Sequence, residues 1–140
     1  MKRITILSLL ACTLFLFSCK KNHDSAKSRT QLLTAKTWIL DEFYTGYNTT
    51  TPILAYKKGR PNNAYDATNY YIKFNADGTY SRRENNGTMY TGVWVWLSNE
   101  SAIQTTEALG TNSSTTVELT ANSYIWNATS NGTYGKMIPQ

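Results

Sequence analysis

The chain predicts an all-β fold, an antiparallel up-and-down meander of about eight strands closing into a barrel, with a short N-terminal helix ahead of it. From Lys36 onward, runs rich in Thr, Tyr, Trp, Ile and Val alternate with clusters of Asn, Asp, Gly and Ser. Two of these clusters, Asn75-Ala76-Asp77-Gly78 and Asn85-Asn86-Gly87, carry hairpin chemistry, because glycine accepts the positive φ that a twisted hairpin needs. They flank a shared run, so two hairpins use one strand. No helical period separates the runs, which argues against parallel pairing through crossovers. Closure removes the edges that an open meander would expose.

Residues 1–18 stand apart from the fold. Lys2 and Arg3 precede an apolar run from Ile4 to Phe17, short for a membrane span, and the small Ser18 stands before Cys19, the layout of a cleaved export signal. Leu16-Phe17-Ser18-Cys19 resembles the lipobox of bacterial lipoproteins, which implies cleavage before Cys19, diacylglycerol on its sulfur and a lipid tether at the new N-terminus. Removing 18 of 140 residues leaves 122, the size of one domain with a modest core. Cys12 leaves with the signal and Cys19 is acylated, so burial and a hydrogen-bonded ladder hold the fold without disulfides. Lys2 and Arg3 also leave, and the remaining 12 basic residues against 9 acidic ones give a formal +3, too mild to argue for nucleic acid.

Residues 19–29 read as a flexible tether, since Lys20 to Arg29 contains no apolar residue larger than alanine. Its Lys20, Lys21, Lys27 and Arg29 suit anionic headgroups beside a lipidated cysteine, or simply a solvated linker. The folded domain is expected over 30–140. Ser28-Arg29-Thr30-Gln31 has capping-box spacing, and Leu32, Leu33 and Ala35 give a helix of one or two turns an apolar face. Thr37 to Tyr47 is long for a strand, and Trp38, Leu40 and Phe43 mark a buried side that switches partway, as a bulge or bend produces. Asn69 to Asn75 places Tyr70, Ile72 and Phe74 on one face and Tyr71 and Lys73 on the other. Thr79 to Glu84 and Met89 to Leu97 follow, the latter alternating Val93, Val95 and Leu97 with Trp94 and Trp96, so that both its faces are apolar. The remaining runs are Ala102 to Glu107, Thr115 to Thr120, Ser123 to Ala128 and Thr133 to Ile138, with a turn expected over Gly110 to Ser114.

Leu33-Thr34-Ala35-Lys36-Thr37-Trp38, Tyr71-Ile72-Lys73-Phe74-Asn75-Ala76-Asp77-Gly78-Thr79-Tyr80 and Tyr90-Thr91-Gly92-Val93-Trp94 together resemble the lipocalin-like domains of Bacteroidota lipoproteins. In those domains an N-terminal tryptophan, a Phe-x-x-Asp-Gly-Thr-Tyr hairpin and a Gly-x-Trp strand recur in this order. The similarity spans about residues 32 to 138 and implies a lipocalin-like barrel that binds a small apolar or amphipathic ligand. The chain has Lys36 where the Gly-x-Trp signature of true lipocalins has glycine. Lys20 to Asp24 also lacks the acidic cluster of surface-export tethers in that phylum, so the expectation is an outer-membrane anchor facing the periplasm.

Two regions supply candidate ligand-binding residues. The resemblance places the longest irregular stretch, Asn48 to Thr68, at the barrel mouth, and long loops are where function concentrates. In it Pro52, Ile53, Leu54 and Tyr56 suit a flap across the mouth. Lys57, Lys58 and Arg60 form a basic tip, either a recognition element for an anionic head group or a solvated charge run on a surface insertion. The second region is aromatic, with 10 Tyr and 4 Trp against 4 Phe, a bias toward rings with a polar tip. Trp38 and Trp94 read as core. Trp96 and Tyr71 read as exposed or ligand-facing, with Tyr70 and Tyr90 beside them. A packed barrel presenting Trp96, Tyr71 and the basic tip to a protein or glycan is the alternative to a ligand cavity.

No enzyme is expected. The single histidine, His23, lies in the tether, no cysteine remains as a nucleophile, and neither metal-ligand spacing nor any cofactor motif appears. Asp41 and Glu42 are adjacent on a strand and expected on opposite faces, a poor acid–base pair.

Overall fold

A computed structural model of the chain describes residues 26–128 and 130–140, and Cys19 with the signal segment lies outside the described residues. Helix α1 (Arg29–Thr34) is followed by nine strands: β1 (Thr37–Thr45), β2 (Ile53–Lys57), β3 (Tyr71–Phe74), β4 (Thr79–Arg83), β5 (Met89–Leu97), β6 (Ala102–Glu107), β7 (Gly110–Leu119), β8 (Tyr124–Ala128) and β9 (Thr133–Pro139). All pairings are antiparallel. β3 to β9 pair in sequence, and β1 closes the ring by pairing with β3 on one side and β9 on the other. The closed barrel therefore has eight strands, as the spacing of runs predicts.

β2 is the ninth strand and lies inside the stretch expected to be irregular. It pairs with Glu42 to Thr45, on the same edge of β1 whose first residues, Thr37 to Ile39, pair with β3. β1 outruns the short β3, and its free backbone groups would be unpaired without β2. β7 also differs from the sequence reading. It begins at Gly110, directly opposite Glu107, so the turn is Ala108-Leu109 and the Thr-Asn-Ser-Ser segment is strand. Tertiary pairing to β6 overrides its turn-like composition.

The two glycine hairpins share one construction. Asn75 N–H donates to Thr79 C=O at 2.9 Å and Glu84 N–H to Thr88 C=O at 2.9 Å, with Gly78 at φ 84° and Gly87 at φ 88°. Asp77 Oδ1 accepts from the Thr79 amide, and Asn86 Oδ1 from the Thr88 amide. The predicted bulge in β1 is present as a register shift between Leu40 and Glu42, leaving Asp41 without a partner on β9. It corrects the expectation that Asp41 and Glu42 face opposite ways: both carboxylates reach Lys57 Nζ, at 3.1 and 2.6 Å.

Inward positions follow strand alternation. Trp38, Leu40, Ile72, Phe74, Tyr80, Trp94, Ile103, Leu119, Tyr124 and Met137 are buried together. Full burial of one large apolar side chain contributes about 1.5–3 kcal/mol, so this cluster is the main stabilising element. Phe74 anchors it, edge-on to Trp94 at 5.6 Å and to Tyr124 at 6.0 Å. On β5 the tryptophans turn inward, while Val93 and Val95 are about half exposed.

α1 closes one end of the barrel. Its predicted capping box forms, with Ser28 Oγ accepting from the Gln31 amide and Gln31 Oε1 from the Ser28 amide, so the helix starts just before Thr30. Leu33 is fully buried beneath it. Trp38 Nε1 donates to Leu33 C=O at 2.8 Å, Lys73 Nζ to Thr34 C=O at 2.8 Å and Trp96 Nε1 to Thr30 Oγ1 at 3.0 Å.

Gly92 marks where β5 crosses closest to its neighbours. A Cβ there would stand 2.1 Å from Thr106 O and 2.9 Å from the Tyr80 ring, so the Gly-x-Trp motif is a packing requirement. Gly92→Ala is expected to destabilise the barrel by about 1–3 kcal/mol, the range for overpacking. Thermal unfolding followed by near-ultraviolet circular dichroism checks this, and an unchanged Tm would contradict it.

Candidate functional site

The end opposite α1 is open, and the barrel interior is not filled by its own side chains. A cavity of about 220 Å³ runs up from an apolar floor of Ile72, Phe74, Ile103, Tyr124 and Met137. Tyr80, Arg82, Thr105 and Glu107 line its wall, and Asn112, Ser113, Ser114, Asn131 and Thr133 its polar upper part. A second chamber of about 360 Å³ adjoins it at the mouth, bounded by Leu40, Phe43, Tyr65 and Glu84. Tyr70, Arg82, Trp126, Asn131 and Thr133 border both.

Arg82 is the centre of the polar wall. Its Nε and Nη2 both donate to Glu107 Oε1, at 3.2 and 2.8 Å, and its Nη1 donates to Glu84 Oε1. The guanidinium lies over the Tyr90 ring, 4.1 Å from its centroid, a cation–π contact that holds the plane of the fork. Burial opposes the charge on Arg82, and the Glu107 hydrogen bond together with the attraction of Glu107 and the neighbouring tyrosines outweighs it, so its pKa lies above the ordinary value. The Glu107 side chain is 3% exposed, and its Oε2 has no hydrogen-bond partner among the described residues. Tyr80 Oη is likewise buried without one. Burial pushes the Tyr70 phenol up to about 12 and raises Tyr80 and Tyr124 as well, so these three tyrosines are neutral.

The loop after β2 folds down beside the mouth. Tyr65 packs on Phe43 with ring centroids 5.6 Å apart, and Ala67 is buried. Asp66 latches the loop to the β4–β5 turn. Its Oδ2 accepts from Asn85 Nδ2 at 2.6 Å, its Oδ1 accepts from the Thr68 amide and hydroxyl, and Asn85 Oδ1 accepts from the Asn69 amide at 3.0 Å. The Thr68 hydrogen bonds hold the Asp66 carboxyl below its ordinary 3.8, with Asn85 adding to the effect.

The structure brings few of the sequence candidates together at this cavity. Tyr70 lines both chambers, and Tyr90 faces inward beneath Arg82. Trp96 faces inward at the closed end, edge-on to Trp94 and under Arg29, and borders neither chamber. Tyr71 is on the outer face, its hydroxyl 3.5 Å from the Met89 sulfur. Tyr56 is buried in the core rather than spread across the mouth, and Ile53 points to solvent. The basic tip is not one solvated run: Lys57 is held by Asp41 and Glu42, Arg60 donates to Leu54 C=O and Asn63 Oδ1, and Lys58 is exposed.

Arg82, Glu84, Glu107 and Trp126 were not among the sequence candidates. A signal for three of them exists in strand alternation, since 82 and 84 share the parity of Tyr80, and 107 that of Ile103. A charge at an inward position of a barrel strand is an anomaly that asks for a partner. Trp126 has room because its ring lies over Gly135, where a Cβ would sit 2.4 Å from it.

No family model matches the chain, and no curated protein does. Solved structures do. A DUF4847 family protein from Bacteroides vulgatus matches with a TM-score of 0.57 at 14% identity, covering 79% of this chain and 96% of that one. A lipocalin-like protein from Bacteroides uniformis matches with a TM-score of 0.55 at 13% identity, covering 78% and 99%. An uncharacterized protein from Bacteroides eggerthii matches with a TM-score of 0.50 at 12% identity, covering 75% and 98%. At these identities the likeness concerns the fold, which is lipocalin-like.

The Asp66 latch has a definite pH dependence. The folded pKa is depressed, so its contribution is complete above the unfolded carboxyl value and is lost as pH falls through the folded one. Amide hydrogen exchange, corrected for intrinsic rate, is expected to show protection at Thr68 and Asn69 falling relative to Ile72 between about pH 5 and pH 3. Equal protection at both pH values would contradict the latch.

Proposed function

We propose that the chain is a lipid-anchored protein of the bacterial cell envelope whose lipocalin-like barrel binds a small apolar or amphipathic molecule. The observation that carries this reading is the cavity, apolar at its floor and polar at its mouth, beneath a latched loop. Binding sites of this kind combine apolar walls with a few convergent polar groups. A liquid-phase water occupies about 30 Å³, and a methylene is of similar size, so 220 Å³ takes a body of about seven or eight heavy atoms.

The packed-scaffold alternative needs Trp96 and the basic tip at the surface. Trp96 is engaged under α1, and Lys57 and Arg60 are bonded within the fold, which lowers its support. Binding without catalysis is proposed on the residue inventory, in which His23 is the single histidine and sits in the tether. The anchor rests on Lys2, Arg3, the apolar run and Cys19, and the periplasmic orientation on the tether composition.

Two measurements test these parts separately. Protein purified from its own envelope is expected to release a reproducible small molecule when native mass spectra are compared with those after unfolding. A clean apo mass would favour the scaffold. Cys19→Ser is expected to abolish palmitate labelling and move the chain from the membrane to the soluble fraction, and retained labelling would overturn the anchor.

A further inference from the structure

We propose that the cavity selects a short apolar molecule with a cationic ammonium head over one with a carboxylate. The inference rests on the ligand-binding reading and adds the charge class of the ligand. Among the described residues, the charged side chains bordering the two chambers are Arg82, Glu84 and Glu107, two negative and one positive. Tyr70, Tyr80 and Tyr124 are neutral, and the other polar groups of the lining are amides and hydroxyls. The lining therefore has a formal charge of −1, in surroundings where Glu107 is 3% exposed. A monocation makes the site neutral, whereas a carboxylate would double its charge where solvent screens poorly.

The hydrogen-bond pattern points the same way. Both contacts from Arg82 to Glu107 go to Oε1, so Oε2 is an unpartnered acceptor on a carboxylate nine-tenths buried in the cavity wall. Such an acceptor calls for a donor, and an ammonium supplies N–H groups together with the compensating charge. Arg82 is a poor anchor for an anionic head, because two carboxylates already hold its fork and Tyr90 covers one face. A third carboxylate would have to displace Glu84 or share the guanidinium with both. The floor of Ile72, Phe74, Ile103 and Met137 sets the other end of the ligand, a short apolar tail, with the mouth chamber left for the head.

Three probes with one tail separate the possibilities: octylamine, 1-octanol and octanoate, titrated at neutral pH into the chain from residue 19 on. Without residues 1–18 this chain is not lipidated, and Cys19→Ser in it removes the free thiol. Binding is followed by the fluorescence of the tryptophans, of which Trp126 borders both chambers. The expected order of affinity is amine, alcohol, carboxylate, with at least about tenfold between the extremes. Glu107→Gln and Glu84→Gln each bring the lining to a formal charge of zero, and each is expected to shrink that ratio, while a near-ultraviolet circular dichroism spectrum unchanged from the parent reports an intact barrel. Glu84, nearer the mouth, keeps the test informative if Glu107→Gln fails to fold. Octanoate binding as tightly as octylamine, or a ratio unmoved by both variants, overturns the charge preference while leaving the ligand-binding reading in place. Failure of all three probes, 1-octanol included, overturns both.

Discussion

The fold depends on one strand meeting three partners. β1 closes the ring against β9 with its full length, shares its other edge between β3 and β2, and carries the bulge that lets it do so. Closure through β1 satisfies backbone groups that an open sheet of this length would leave to solvent or to another chain. It also fixes the interior, because an eight-stranded barrel encloses about the volume its own side chains fill, with at most one small ligand to spare. Whether space remains is then decided by which side chains point in. Here Thr105, Ser114 and Gly135 occupy inward positions near the mouth, and the large rings crowd toward the closed end.

That distribution gives the barrel two unlike halves. The lower half is a dry core capped by α1, whose tie to the barrel runs through the indole N–H groups of Trp38 and Trp96. The upper half holds Arg82, Glu84 and Glu107 between the two chambers. Removing one partner from a buried ion pair costs about 3–5 kcal/mol, while replacing the whole set with apolar side chains is often neutral or stabilising. Stability alone therefore gives no reason for an inward charge network, and its position on the cavity wall is the ground of the proposed charge preference.

Much of this architecture was legible in the residues. The Asp-Gly and Asn-Gly turns, the capping box, the bulge after Leu40 and the inward face of Tyr70, Ile72 and Phe74 each follow from local chemistry that tertiary structure did not override. What escaped the sequence depended on partners distant in the chain. Ile53 to Lys57 is a strand because β1 outruns β3, and Gly110 to Ser114 is a strand because β6 is already in register beside it. Trp96 looked available because an alternating run cannot say which face a helix will cover. The cavity wall was partly legible, since Arg82 and Glu107 carry charge at inward parity. Their meeting across Gly92, which brings β4 and β6 close, was not.

The barrel keeps an open interior above its apolar floor. A crystal of the protein pressurised with xenon probes that space, because xenon enters apolar cavities without needing a hydrogen bond. Xenon density is expected between Phe74, Ile103 and Met137. Absence of xenon there, with those side chains and Tyr124 collapsed into mutual contact, would contradict it.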